Sequence, residues 1–454
     1  MLCGCTMAPK YERPDAPVPA KWPAGPAYQQ IQSTQPAALA SWRGFLPDAR
    51  LREIIETALK NNRDLRIAML NVEKAKATYG INRTSLLPTV NATGTWYQER
   101  IPADLSSSGS AYTSEKFSVN LGMASWEIDF FGRIRSLKDA ALEEYLATEE
   151  SLRGSQILIV STVAQAYLAL AADRENLQLA SKTFEAQQTT YNLTKKRYDV
   201  GMASELDLRR IQSQLDTARG DLARYTQLVA QDENALNLLV GSSVRPDLLP
   251  ANLESAGAPQ DISAGLSSEP LLLRPDVLAA EHRLKGANAN IGAARAAFFP
   301  RITLTTSLGT ASAELSGLFK SGSGVWTFTP QIVMPVFDAR TWFAYDVTKI
   351  DKEIAIAQYE KSIQTAFREV SDALAEKGMI SERVAAQQSL VDNLAAAYRL
   401  SEARYNKGID SYLAVLDAQR SLYATQQGLI ALRLVRNNNL ITLYKTLGGG
   451  EEKP

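Results

Sequence analysis

The second half of this chain replays the first, and that repetition limits what it can fold into. Asp64 matches Asp276, Gly80 matches Gly292, Arg83 matches Arg295 and Pro88 matches Pro300, all 212 positions apart. Further on the spacing is 207: Tyr191/Tyr398, Leu193/Leu400, Arg197/Arg404, Gly201/Gly408, Gln212/Gln419, Leu215/Leu422 and Leu222/Leu429. The change of five (212 − 207) falls among strand-like segments, where loop length varies easily. Each half reads as a helix pair, a strand pair, a very long helix, a tight turn and a shorter helix.

The turns are the sharpest part of the repeat. Gly201 and Gly408 suit the left-handed conformation that closes a helix. Ser204 and Ser411, three residues on, stand where a side-chain oxygen can cap the next helix. Proline is absent from 133 to 200, and again after Pro335 until Pro454. At ~1.5 Å per residue these runs give helices on the order of 100 Å. After the first turn, Leu208, Ile211, Leu215, Ala218, Leu222, Tyr225 and Val229 recur with heptad spacing, a seam for a partner helix.

Between the helices the period changes to two. Val90, Ala92, Gly94 and Trp96 alternate with Asn91, Thr93, Thr95 and Tyr97. Phe117, Val119, Leu121 and Met123 alternate with Ser118, Asn120 and Gly122. In the second half Ile302, Leu304 and Leu308 alternate with Arg301, Thr303, Thr305 and Ser307, while Trp326, Phe328, Ile332, Met334 and Val336 share a face opposite Thr327, Thr329 and Gln331. Four such strands are too few to close, since small barrels need about eight. An open edge in a bilayer leaves amides unsatisfied. One face carries Trp96, Trp326 and Phe328, which suit lipid, and the other carries hydroxyls and amides, which suit water. Several copies must therefore pool their strands, in a number the strands themselves leave open.

The expected organisation is a proline-rich arm over 1–50, extended and surface-bound, a first repeat over 51–245, a linker over 246–262, a second repeat over 263–450 and a tail over 451–454. Strands are expected at about 89–99, 116–130, 301–310 and 325–337. Long helices are expected at about 133–200 and 340–406, and shorter ones at about 204–240 and 411–447. The most apolar run, 157–172, is shorter than the ~20 residues of a membrane helix and carries Ser161, Thr162 and Gln165.

Composition removes other classes. Lys+Arg and Asp+Glu balance at 49 each, so no basic excess points to nucleic acid. His282 is the only histidine, and both cysteines, Cys3 and Cys5, lie at the start. There is no phosphate-binding glycine loop, catalytic serine motif or metal-ligand cluster. The expectation is a protein that is no enzyme and has no cofactor or metal.

Leu2-Cys3-Gly4-Cys5 resembles a bacterial lipobox, which makes Cys5 the expected site of a covalent lipid. A full signal has a basic stretch and an apolar run ahead of the cut. Only four residues precede Cys5, so the expected signal is truncated or already removed. The segment Cys5-Thr6-Met7-Ala8-Pro9-Lys10-Tyr11-Glu12-Arg13-Pro14 is similar to the mature start of lipid-anchored outer-membrane efflux proteins, the TolC/OprM family. The resemblance also rests on Trp126-Glu127-Ile128-Asp129-Phe130-Phe131-Gly132-Arg133, on Arg274-Pro275-Asp276, on Arg295-Ala296-Ala297-Phe298-Phe299-Pro300 and on the two turns. It extends from Cys5 to Gly449.

The resemblance implies a mixed α and β fold. Three copies would form a trimeric 12-stranded outer-membrane β-barrel, four strands per chain, on a long α-helical coiled-coil periplasmic tunnel. It implies the exit duct of a tripartite pump in a Gram-negative outer membrane, conducting small amphiphiles passively. Its partners would be a periplasmic membrane-fusion adaptor and an inner-membrane transporter of the RND type. Leu413 and Asp417, one turn apart, match an iris-like gate. Asp207 and Tyr405 match a closed-state latch. Asp410 stands where TolC has a latch arginine, so Arg404, Arg209 or Arg210 would have to compensate. The turns at Gly201, Ser204, Gly408 and Ser411 would meet the adaptor.

Two other readings compete. A lipid-anchored coiled-coil scaffold or adaptor with no channel accounts for the helices and leaves the alternating strands unexplained. The same duct could instead serve metal or protein export, but seven methionines give no support for a metal path.

Overall fold

A computed structural model describes residues 6–28, 41–262 and 267–450. Cys5, the stretch 263–266 within the second repeat and the tail 451–454 lie outside the described residues. The helices are α1 (Trp42–Phe45), α2 (Ala49–Asn61), α3 (Arg63–Thr84), α4 (Arg133–Asp199), α5 (Glu205–Val240), α6 (Pro275–Ala296), α7 (Ala339–Asn406) and α8 (Tyr412–Thr446). The strands are β1 (Val90–Ile101), β2 (Tyr112–Ile128), β3 (Arg301–Ser312) and β4 (Gly324–Val333). The repeat is visible in the bounds: α3 and α6 both have 22 residues, α4 has 67 and α7 has 68.

The chain forms two compact units, to which α4 and α7 each contribute residues. The first unit holds residues 6–15, Asn71–Glu149 and Ala279–Glu360. Its centre is one antiparallel sheet in the order β1-β2-β3-β4. Ala92, Leu121, Leu308 and Trp326 pair in a row across all four strands. Among the described residues nothing covers that face: Leu121 is 59% exposed, Leu308 70% and Trp326 73%.

A bulge protects the division of faces. Met123 pairs with Thr306 and Trp126 with Leu304, so β2 takes three steps where β3 takes two. Ser125 absorbs the extra residue at φ 55° and its amide donates to Thr305 Oγ1 at 3.0 Å. Trp126 and Ile128 consequently stay on the apolar face with Met123. Glu127 falls on the polar face, where both Nε and a terminal nitrogen of Arg133 donate to it at 2.8 Å and Arg301 approaches to 2.6 Å.

Among the described residues the second unit holds 16–28, 41–70, 150–262, 267–278 and 361–450. Its core joins Trp42 and Phe45 of α1, Ile54 and Ile55 of α2, Val163, Tyr167 and Leu168 of α4, Leu236 of α5 and Ile441 and Tyr444 of α8. Tyr167, fully buried, donates to Asp48 at 2.9 Å. By length and composition α4 is long and apolar enough to cross a membrane, but its apolar stretch is part of this core. On α5 the heptad positions Ile211, Leu215, Ala218 and Tyr225 are buried.

Four expectations need correction. The second repeat begins with no helix pair among its described residues: a 3-10 turn at Glu269–Leu273 precedes α6, because Pro270 and Pro275 leave room for one turn only. The arm is not uniformly extended on the surface. Trp22 is buried and stacks on Phe367 at 5.2 Å, and α1 lies within 1–50 because its aromatics belong to the core. Strand β4 ends at Val333, before Met334 and Val336, since Pro335 has no amide to continue pairing. Strand β2 starts at Tyr112, earlier than its alternation suggested.

Candidate functional site

The two turns that join the long helices have one backbone and different side chains. Gly201 has φ 75° and Gly408 φ 71°. The Gly201 amide donates to Tyr198 O at 2.9 Å and Met202 to Arg197 O at 2.7 Å. Gly408 donates to Tyr405 O at 2.8 Å and Ile409 to Arg404 O at 3.0 Å, the same paired bonds of a Schellman ending. Ser204 then caps α5, its Oγ accepting from the Asp207 amide at 3.1 Å. Ser411 has matching cap dihedrals, but its side chain accepts no cap bond. The expected capping is therefore found at one turn only.

Charge distinguishes the turns further. Arg404 reaches Asp410 through Nε at 2.5 Å and a second nitrogen at 3.0 Å. The pair holds the Asp410 carboxyl below its ordinary range, chiefly through the bond from Arg404. The equivalent residues of the first turn are Arg197 and Ala203, which cannot pair this way. Arg197 instead donates to the Tyr405 hydroxyl at 3.5 Å, and Tyr405 packs on Tyr412 with ring centroids 5.0 Å apart. Burial pushes the Tyr412 hydroxyl up to about 12. Tyr412 went unread in the sequence, although an aromatic at the start of α8 against Glu205 at the start of α5 already marked the asymmetry.

The expected latch residues do not meet within the chain. Asp207 is held by Ser204 Oγ at 2.7 Å, and Tyr405 takes Arg197. Arg404, a proposed substitute, is occupied by Asp410 itself, and Arg209 pairs with Glu205 at 3.3 Å. Leu413 is 43% exposed although Val415 and Leu416 beside it are buried. Asp417 is exposed and makes no hydrogen bond or ion pair among the described residues. Val200, Met202, Leu206 and Ile409 are exposed as well, so both turns present apolar side chains to solvent.

The second functional surface is the sheet. Strands β1 and β4 end the sheet order and do not pair with each other. Pro330 lies on β4, an edge position where a missing amide is tolerated. Among the described residues no cluster of three or more His, Cys, Asp or Glu is placed to hold a metal.

The sequence model of the outer membrane efflux protein family matches residues 54–242 and 266–449, one stretch in each repeat. This chain belongs to that family. It is 46% identical over 452 residues to the probable efflux pump outer membrane protein TtgC of Pseudomonas putida, covering 99% of this chain and 93% of that protein. It is 48% identical over 457 residues to the toluene efflux pump outer membrane protein TtgF of the same species, covering 99% and 95%. The solved open-state MtrE outer membrane channel of Neisseria gonorrhoeae superposes with a TM-score of 0.88 at 38% identity, over 98% of each chain. The family's fold, mixed α and β with four strands per chain, and its place in the outer membrane as an efflux component follow for this protein.

Proposed function

We propose that three copies assemble into the exit duct of a tripartite efflux pump. The carrying observation is the open sheet, with a bare apolar face and two unpaired edges. Three sheets joined β4 to β1 make one closed wall, apolar to lipid and polar to the bore. A second exposed seam favours association: Phe343, Val347, Ile350 and Ile354 lie on one stripe of α7. The cargo is small and apolar or amphiphilic, as the relatives named for toluene and antibiotic efflux suggest. The duct performs no catalysis. A lipid on Cys5 adds an anchor, and the exposed turns meet a periplasmic adaptor carried by an inner-membrane transporter of the RND type.

The gate is read from the turns. Leu413 supplies an apolar ring and Asp417 a ring of unpaired carboxylates, one from each copy. The latch then forms between neighbouring copies, from Asp207 of one hairpin to Tyr405 of the next. Its bonds are individually weak, about 0.5–1.5 kcal/mol each, which suits a gate that an adaptor opens. Single-channel recording in a planar bilayer tests this reading: Asp207→Ala with Tyr405→Phe raises conductance. Unchanged conductance removes the latch, and a protein that forms no pores removes the duct in favour of a scaffold.

A further inference from the structure

The helix seams of the two repeats differ at one equivalent position. In the second repeat Asn439 of α8 is 2% exposed, and its Nδ2 donates across the seam to Ala373 O at 2.9 Å and Glu376 Oε2 at 3.2 Å, both on α7. The residue 207 positions earlier is Asp232 of α5. Across its seam stands another carboxyl group, Asp173 of α4, at the level fixed by the adjacent pair of Arg174 on α4 and Glu233 on α5. Asp232 Oδ2 is buried and accepts no hydrogen bond.

An ionised carboxylate has no proton to donate, and two facing carboxylates repel. An amide at Asn439 donates to a carboxylate at any pH, whereas Asp232 does so only when protonated. The surroundings do not supply the missing charge. Asn176 of α4 and Arg224 of α5 both favour ionised Asp173, but Arg224 also pairs with Asp221 at 3.5 Å and lies 4.4 Å over the Tyr225 ring. The neighbouring cations are engaged: Arg174 with Glu233 at 2.7 Å, and Arg433 of α8 with Glu175 at 3.8 Å.

We propose that Asp173 and Asp232 form a proton-binding site, in which one proton carried by Asp232 and shared with Asp173 ties α4 to α5. Burial, then the charge of Asp173 and the bond to it, lifts Asp232 to about 6 from 3.8. Burial also raises Asp173, opposed by Asn176, Asp232 and Arg224. A carboxyl raised by folding stabilises the fold most below its unfolded value, and the contribution is lost as pH climbs through the folded value. The first hairpin therefore tightens between about pH 6 and about pH 4, while the Asn439 amide of the second needs no added proton to donate.

Thermal unfolding of the detergent-solubilised protein tests this, with Asp232→Asn importing the second repeat's chemistry. The wild-type midpoint falls relative to the variant as pH rises from about 4 to about 6, and the variant is the more stable at about pH 7. Parallel curves for the two proteins overturn the proposal, as does a variant less stable at about pH 7. Infrared difference spectroscopy gives a second reading: a protonated-carboxyl band titrates near pH 6 in the wild type and is absent in Asp232→Asn. A band already lost well below that pH, or kept in the variant, contradicts a shared proton at this pair.

Discussion

The two repeats close the same joint with different chemistry. In the first, Asn62 donates to Leu239 O at 2.8 Å and accepts from the Leu65 amide at 2.9 Å. In the second, the aligned residue is Arg274, which donates to Thr446 O at 2.7 Å. Thr446 is itself the residue aligned with Leu239 at the 207 spacing. One neutral amide thus does in the first repeat what a buried guanidinium does in the second. The guanidinium brings obligations: Arg274 also needs Asp276 at 2.8 Å and Glu369 at 2.9 Å to satisfy its charge. The two repeats share the contact between the last turn of one helix and the start of another and differ in its electrostatics.

Breaking the charged joint has the largest expected effect. Arg274→Ala removes a cation whose side chain is 9% exposed and leaves Thr446 O and the one-third-exposed Glu369 without their partner, which costs about 3 kcal/mol, the lower end for a buried pair because Asp276 is half-exposed to water. Asn62→Ala, at the neutral joint, costs about 1–3 kcal/mol. Denaturant unfolding of the two variants measures the gap, and equal losses would dissolve the distinction between the joints.

The glycines beside these joints sharpen the comparison. Gly241 has φ 74°, and a Cβ there meets Asn61 O at 2.6 Å, so Gly241→Ala strains both backbone and packing. Gly448 has φ 92°, but its added Cβ meets Arg274 Cγ at 3.4 Å, part of a side chain able to shift. The left-handed backbone alone accounts for about 1–2 kcal/mol in each variant, and Gly241→Ala should exceed that. A larger loss from Gly448→Ala would show that the crowded carbonyl yields more readily than the arginine.

The smallest effects belong to the turns. Ser204→Ala loses a cap bond and costs about 0.5–2 kcal/mol of local helix stability. Ser411→Ala, whose side chain caps nothing, leaves hydrogen exchange at the start of α8 unchanged. Asp410→Ala leaves the unfolding midpoint in place, because its partner Arg404 is exposed, yet it frees the second turn for proteolysis. Equal responses from the two serines would erase the asymmetry.

Much of the fold was legible because it rests on period and punctuation. Alternation placed the strands, prolines bounded the long helices, and Gly201 and Gly408 gave the turns to the residue. The rest depends on what lies far away in sequence. Nothing local announces that Asn62 and Arg274 are equivalent clasps, since their partners are 177 and 172 residues distant. The bulge at Ser125 was hidden because Ala124-Ser125 carries no turn signature, and its purpose is clear only against β3. The site residues Leu413 and Asp417 came from family resemblance: exposure and a bare carboxylate are compatible with a gate, and one chain does not display a ring.

The proposed duct rests on strands that find their missing neighbours in other copies. Native mass spectrometry of the detergent-extracted protein addresses that directly. The account predicts a species of three chains, about three times the 49.7 kDa of one. A stable particle of a single chain, soluble without detergent, would contradict it.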